Sequence, residues 1–145
     1  MLGYSRGFQP VLWSVFAVLW ASGFLLVPGV FLLRLEWNVP LHLPPGWHGG
    51  TAALHVASAI AATVLIGMLI PVHVKTGLRK GRQMVTGIAL LSAFGLLALT
   101  GLAINYVSNE MFGLSASLSH LIVAILLAAI LAIHAVSGRA QRLRR

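Results

Sequence analysis

Of the residues able to bind a metal or move a proton, the chain holds six histidines, two carboxylates (Glu36 and Glu110), four methionines and no cysteine. Without cysteine there are no disulfides, thiolate zinc sites, covalently attached c-type haem or cysteine-held iron–sulfur clusters. Metal chemistry therefore falls to His, Met or oxygen. Four histidines stand near the ends of long apolar runs, His55 and His73 in one run and His120 and His134 in another. His42 and His48 lie in a Pro-, Trp- and Gly-rich stretch between runs, where solvent accommodates them.

Ionisable side chains within apolar spans are rare and normally paired or functional. Eighteen residues separate His55 from His73, five full turns of an α-helix, so both face one way. Fourteen separate His120 from His134, nearly four turns with a drift of roughly 40°. If the two helices run parallel, His55 shares a level with His120, and His73 with His134. Two facing imidazole pairs inside a membrane are the donor set for two low-spin haems, each gripped from both sides. At 1.5 Å per residue the first pair spans about 27 Å and the second about 21 Å, so straight helices leave the levels about 6 Å out of step. Differing tilts, and a disturbance at Pro71, absorb part of that difference. His48 is the substitute for His55 if the latter sits too far out.

The elements that must carry these residues follow from composition. The 145 residues are 59% hydrophobic and 8% charged, with a mean hydropathy of +0.94, the make-up of a membrane chain. The apolar runs predict four spans, at about 11–33, 51–74, 84–107 and 118–136, in a single all-α membrane domain over residues 1–145, an integral four-helix bundle. The first run has a span's length and no small-residue cleavage site, so it reads as a retained helix. Pro28 and Gly29 are placed to bend its far end. Residues 34–50 and 108–117 read as loops.

The formal charge of +8 would suggest nucleic acid in a soluble protein, but here the basic residues cluster beside apolar ends. Lys75, Arg79, Lys80 and Arg82 form a turn after the second span, and Arg139, Arg142, Arg144 and Arg145 a tail, whereas the opposite side has only Arg34. That asymmetry predicts cytoplasmic termini and contact of the basic ends with anionic membrane lipid. It also places Lys75, Arg79, Arg82 and Arg139 where haem propionates at the level of His73 and His134 would need them. Small residues of span three (Gly87, Ser92, Gly95, Thr100, Gly101) allow close approach of a helix or a flat ligand. Asn105, Tyr106 and Glu110 read first as interfacial anchors and second as a quinone or proton site, and Met68 as core.

The stretch HLIVAILLAAILAIHAVSGR, which carries His120 and His134, resembles the final haem helix of bacterial membrane cytochromes b. With PVHVKTGLRKGRQ and LLALTGLAINY, the resemblance covers about 60% of the chain, from Leu54 to Arg139. The group includes the cytochrome b subunits of nickel–iron hydrogenases and formate dehydrogenases and the bacterial cytochrome b561 type, some of which oxidise superoxide. The resemblance implies a four-helix bundle in a bacterial inner membrane, two b-type haems, and electron exchange with quinone and a periplasmic or membrane redox partner. Those subunits commonly take a ligand from their first span, which here has no histidine. Two ligands on each of spans two and four is closer to the cytochrome b of quinol–cytochrome c reductases.

The expected function is therefore transmembrane electron transfer with His55, His120, His73 and His134 as axial ligands and no bond-making residue. Two other readings stand beside it. One is a structural or assembly subunit whose histidines only pack and hydrogen-bond. The other is a small quinone-coupled superoxide oxidase.

Overall fold

The computed structural model describes residues 5–37, 39–40, 43–44, 46–81 and 83–143, with side chains up to residue 141. Its helices are α1 (Phe8–Leu35), α2 (Trp47–Leu69), a π-helical turn (Ile70–Val74), α3 (Lys75–Arg79), α4 (Met84–Tyr106) and α5 (Glu110–Leu143). Four segments are long and apolar enough to cross a membrane: Phe8–Leu35, Trp47–Arg79, Met84–Tyr106 and Glu110–Gln141. No strand occurs among the described residues. The chain divides into two compact units, one ending at Val72 and one beginning at His73. α1 pairs with α2 in the first, and α4 with α5 in the second. Both pairs are antiparallel: Gly23 meets His55 while Gly29 meets His48, and Gly87 meets His134 while Gly101 meets His120.

Burial is sparse, and small side chains share it with a few large apolar ones, Phe8, Phe16, Leu19 and Leu127. The buried positions include Ser22, Thr51, Ser58, Ala62, Ala116 and Ser117, while Phe24, Leu33, Val85, Leu99 and Val136 are exposed. Small side chains let helix backbones approach closely, and most large apolar ones are left for lipid. The buried hydroxyls do not go unsatisfied: Ser22, Ser58 and Ser117 donate to the carbonyls four residues earlier, at 2.7, 2.8 and 2.8 Å. Met68 is 52% exposed, so it belongs to the lipid-facing surface and not to the core.

The helix ends differ from expectation where polar residues find partners inside the helix. α1 continues past Pro28 to Leu35. There Glu36 turns into the left-handed region (φ 55°), the Glu36 and Trp37 N–H groups both donate to the Phe31 carbonyl, and the Trp37 ring stacks on Phe31 with centres 6.0 Å apart. That is a hydrogen-bonded stop sealed by an apolar contact. α2 starts at Trp47, so His48 lies in its first turn and not in a loop.

α5 starts at Glu110, eight residues before the expected span. Asn109 Oδ1 accepts the Phe112 N–H at 2.9 Å as an N-cap, and Ser115 and Ser117 donate to Met111 and Gly113. Arg139, expected in a tail, is helical, whereas Arg82, His42, Arg144 and Arg145 and the side chain of Arg142 lie outside the described residues.

Pro71 has no N–H to offer the Gly67 carbonyl, and the N–H of Ile70 takes that acceptor instead. The backbone then widens into the π turn, which holds more residues per turn than an α-helix. The five-turn phase that puts His55 and His73 on one face assumes uninterrupted α-helix, and it is lost at the end that carries His73.

Candidate functional site

His55 stands on the α2 face that meets α1. Its Nδ1 is 3.1 Å from the Leu19 carbonyl oxygen and 3.2 Å from Ser22 Oγ. A carbonyl oxygen can only accept, so Nδ1 carries the ring proton and donates. The Ser22 hydroxyl sends its own proton to the Val18 carbonyl at 2.7 Å, and so also faces the ring as an acceptor. Gly23 lies directly against the imidazole, and a Cβ there would come within 2.9 Å of His55 Cε1.

The second unit sets a threonine hydroxyl and a glycine beside each of two further imidazoles. His120 Nδ1 is 2.9 Å from Thr100 Oγ1, whose proton is directed to the Leu96 and Leu97 carbonyls at 2.8 and 3.2 Å. Gly101 follows Thr100 and would bring a Cβ to 3.6 Å from His120 Cε1. His134 Nδ1 is 2.8 Å from Thr86 Oγ1, which donates to the Gln83 carbonyl at 3.2 Å, and Gly87 lies beside the ring. Here Gln83 adds a further contact. With its amide oriented to satisfy both ends, its oxygen accepts the Gly138 N–H at 2.6 Å, and its nitrogen donates to the His134 carbonyl at 3.0 Å and to His134 Nδ1 at 3.1 Å, so at this ring Nδ1 is an acceptor, unlike at His55.

An imidazole that donates through Nδ1 has its lone pair on Nε2, the tautomer that ligates a metal while the other nitrogen is held by an oxygen. The hydroxyl–glycine steps Ser22-Gly23, Thr86-Gly87 and Thr100-Gly101 were not singled out from the sequence. A signal for two of them was present: Thr86 and Thr100 are fourteen residues apart, the interval between His120 and His134. In an antiparallel pair, equal intervals put both contacts at matching levels.

His73, on the π turn, is exposed, and its ring centre lies 6.1 Å from that of His134 with the planes at 66°. Two metal–nitrogen bonds of about 2 Å, plus about 1.1 Å from each nitrogen to its ring centre, put collinear rings about 6.2 Å apart. The separation of the pair is close to that value, and the steep angle between the planes makes the contact an edge-to-face one between the rings themselves. His55 and His120 belong to separate units, each set against its own hairpin partner. His48 is exposed and rests on Gly29 through its Nε2–Cδ2 edge, but the residue before that glycine is Pro28, which has no hydroxyl. Lys75 and Arg79 on α3 and Arg139 on α5 are exposed, and Arg34 is half-buried in the last turn of α1. Asn105 donates to the Gly101 carbonyl at 2.8 Å and Tyr106 is 81% exposed.

Among the described residues no group of three or more His, Asp or Glu side chains is placed to hold a metal ion. No protein-family model matches the chain, and neither a curated protein nor a solved structure shows significant similarity to it.

Proposed function

We propose that the chain is a di-haem b-type cytochrome that carries electrons across a bacterial inner membrane, between a periplasmic or membrane redox partner and quinone or another acceptor. In this reading the four spans belong to one membrane protein with cytoplasmic termini. His73 and His134 hold one haem, and His55 and His120 the other. The observation that carries it is the His73–His134 pair, with ring centres 6.1 Å apart. The Nδ1 tethers of His55 and His120 support it further.

When bound, each haem supplies a one-electron couple at its iron. The residues of the chain hold and tune it. His55, His73, His120 and His134 would hold the iron, and the Ser22, Thr86 and Thr100 hydroxyls lie against three of these imidazoles. The apolar shell keeps water away, and Lys75, Arg79 and Arg139 are the cations at the end of the chain's second unit that carries His134, where propionates would be neutralised.

The same tethers favour a second reading. An imidazole whose Nδ1 is satisfied by a neighbouring helix is also a sound packing element, so a structural subunit without haem would use these contacts as well. A reduced-minus-oxidised absorption spectrum of purified protein, with extracted haem quantified per chain, separates the two. Two b-type haems per chain are expected. A chain purified from haem-replete cells with no alpha band and no extractable haem would leave only the structural reading.

A further inference from the structure

We propose that Thr100 is a positioning residue that fixes the ring tautomer, and so the donor strength, of His120. The inference rests on the di-haem reading for its consequence at iron, but its structural core concerns that histidine alone.

What decides the tautomer is where the single hydroxyl proton of Thr100 goes. At Thr100 two backbone carbonyls of its own helix, Leu96 and Leu97, lie within 3.2 Å of Oγ1, so its proton is committed there and the oxygen meets His120 Nδ1 as an acceptor. Nδ1 must then carry the ring proton, and the lone pair falls to Nε2. Thr86, fourteen residues earlier, meets Nδ1 of His134, but there the Gln83 amide also donates to Nδ1, at 3.1 Å, so the threonine oxygen does not decide that ring's tautomer. Each threonine is followed by a glycine that lies beside the same imidazole. Both contacts therefore recur with the same two residue types at the same interval. His48, on Pro28-Gly29, has the glycine without the hydroxyl and is the natural contrast.

An oxygen acceptor at Nδ1–H increases the electron donation of the imidazole through Nε2, and loss of such a partner typically costs 10- to 100-fold in metal affinity. Thr100→Val removes the acceptor and keeps the shape, while Thr100→Ser restores it. Two measurements test the proposal. Nitrogen-15 NMR of His120 in haem-free protein should show the Nδ1–H tautomer in the wild type and in Thr100→Ser, and a mixture in Thr100→Val. In haem-loaded protein, Thr100→Val should weaken one haem about 10- to 100-fold and raise its midpoint potential, with the other haem unchanged and Thr100→Ser close to wild type.

A wild-type His120 found in the Nε2–H form overturns the proposal even if Thr100→Val fails to fold. Loaded Thr100→Val with unaltered potential and haem content also overturns it. A wild-type chain that binds no haem sinks the cytochrome reading, while the tautomer measurement still decides this one.

Discussion

The two hairpins solve one problem, how to hold an imidazole steady among apolar helices, in different ways. In α1–α2 the ring of His55 is pinned by a backbone carbonyl, Leu19 O, with Ser22 in support, and the fit against Gly23 is so close that a methyl group would meet the ring at 2.9 Å. In α4–α5 the hydroxyls of Thr86 and Thr100 hold Nδ1, and the glycines beside the rings leave 3.9 and 3.6 Å. A carbonyl cannot be mutated away and admits only one tautomer. A hydroxyl can be removed, and its proton has to be sent elsewhere first. The first hairpin is thus fixed by backbone and steric fit, and the second by side-chain chemistry repeated at a fixed interval.

The largest effects test which histidines matter. His120→Ala and His134→Ala should each remove one of two haems and spare the other, read as a halved haem content per chain. In the first hairpin His55→Ala should also cost one haem and His48→Ala none. The reverse outcome would move the ligand to the ring that lacks a hydroxyl neighbour, and the parallel between the hairpins would fail. Next in size is the glycine contrast. Gly23→Ala should overpack the His55 site and destabilise by about 1–3 kcal/mol, measured by thermal unfolding in detergent. Gly101→Ala, at ordinary van der Waals distance, should shift stability by no more than about 1 kcal/mol. Equal losses from both would show that the tight fit at Gly23 is not what distinguishes the hairpins.

Smaller still is the hydroxyl contrast. Ser22→Ala should leave the haem of His55 within a few-fold of its wild-type affinity, because the Leu19 carbonyl still accepts, whereas Thr100→Val weakens its haem by about 10- to 100-fold. Haem titration of the two variants side by side reads the difference. The smallest effect is expected from Gln83→Ala. It removes the amide donor that lies 3.1 Å from His134 Nδ1, and should move the His134 ring-nitrogen shifts further toward the Nδ1–H form than in the wild type.

Much of this was legible in the sequence because hydropathy and helix length act locally. The four spans and the histidines that sit in them follow from the apolar runs alone, and the expected ends of α1 and α4 fall within three residues of the observed ones. What escaped depends on partners distant in sequence or on a break in regular geometry. The early start of α5 hinges on Asn109 capping and on serines that bond back into their own helix, residues whose composition alone reads as loop. The π turn at Pro71 breaks the phase count for His73, since counting residues presumes one helix type throughout. The hydroxyl contacts join positions twenty or more apart, such as Thr100 and His120, and only the matched fourteen-residue intervals hinted at them.

The length of α5 has a geometric consequence. Thirty-four residues make a rod about 51 Å long. The hydrocarbon layer is about 30 Å thick, and even a 40° tilt would leave the rod's projection near 39 Å. At least one end of α5 must therefore leave the hydrocarbon layer and enter the headgroup region as intact helix, with Glu110 at one tip and Arg139 close to the other. The backbone that carries His120 and His134 thus runs unbroken from the hydrocarbon layer into the zone where headgroups and water begin.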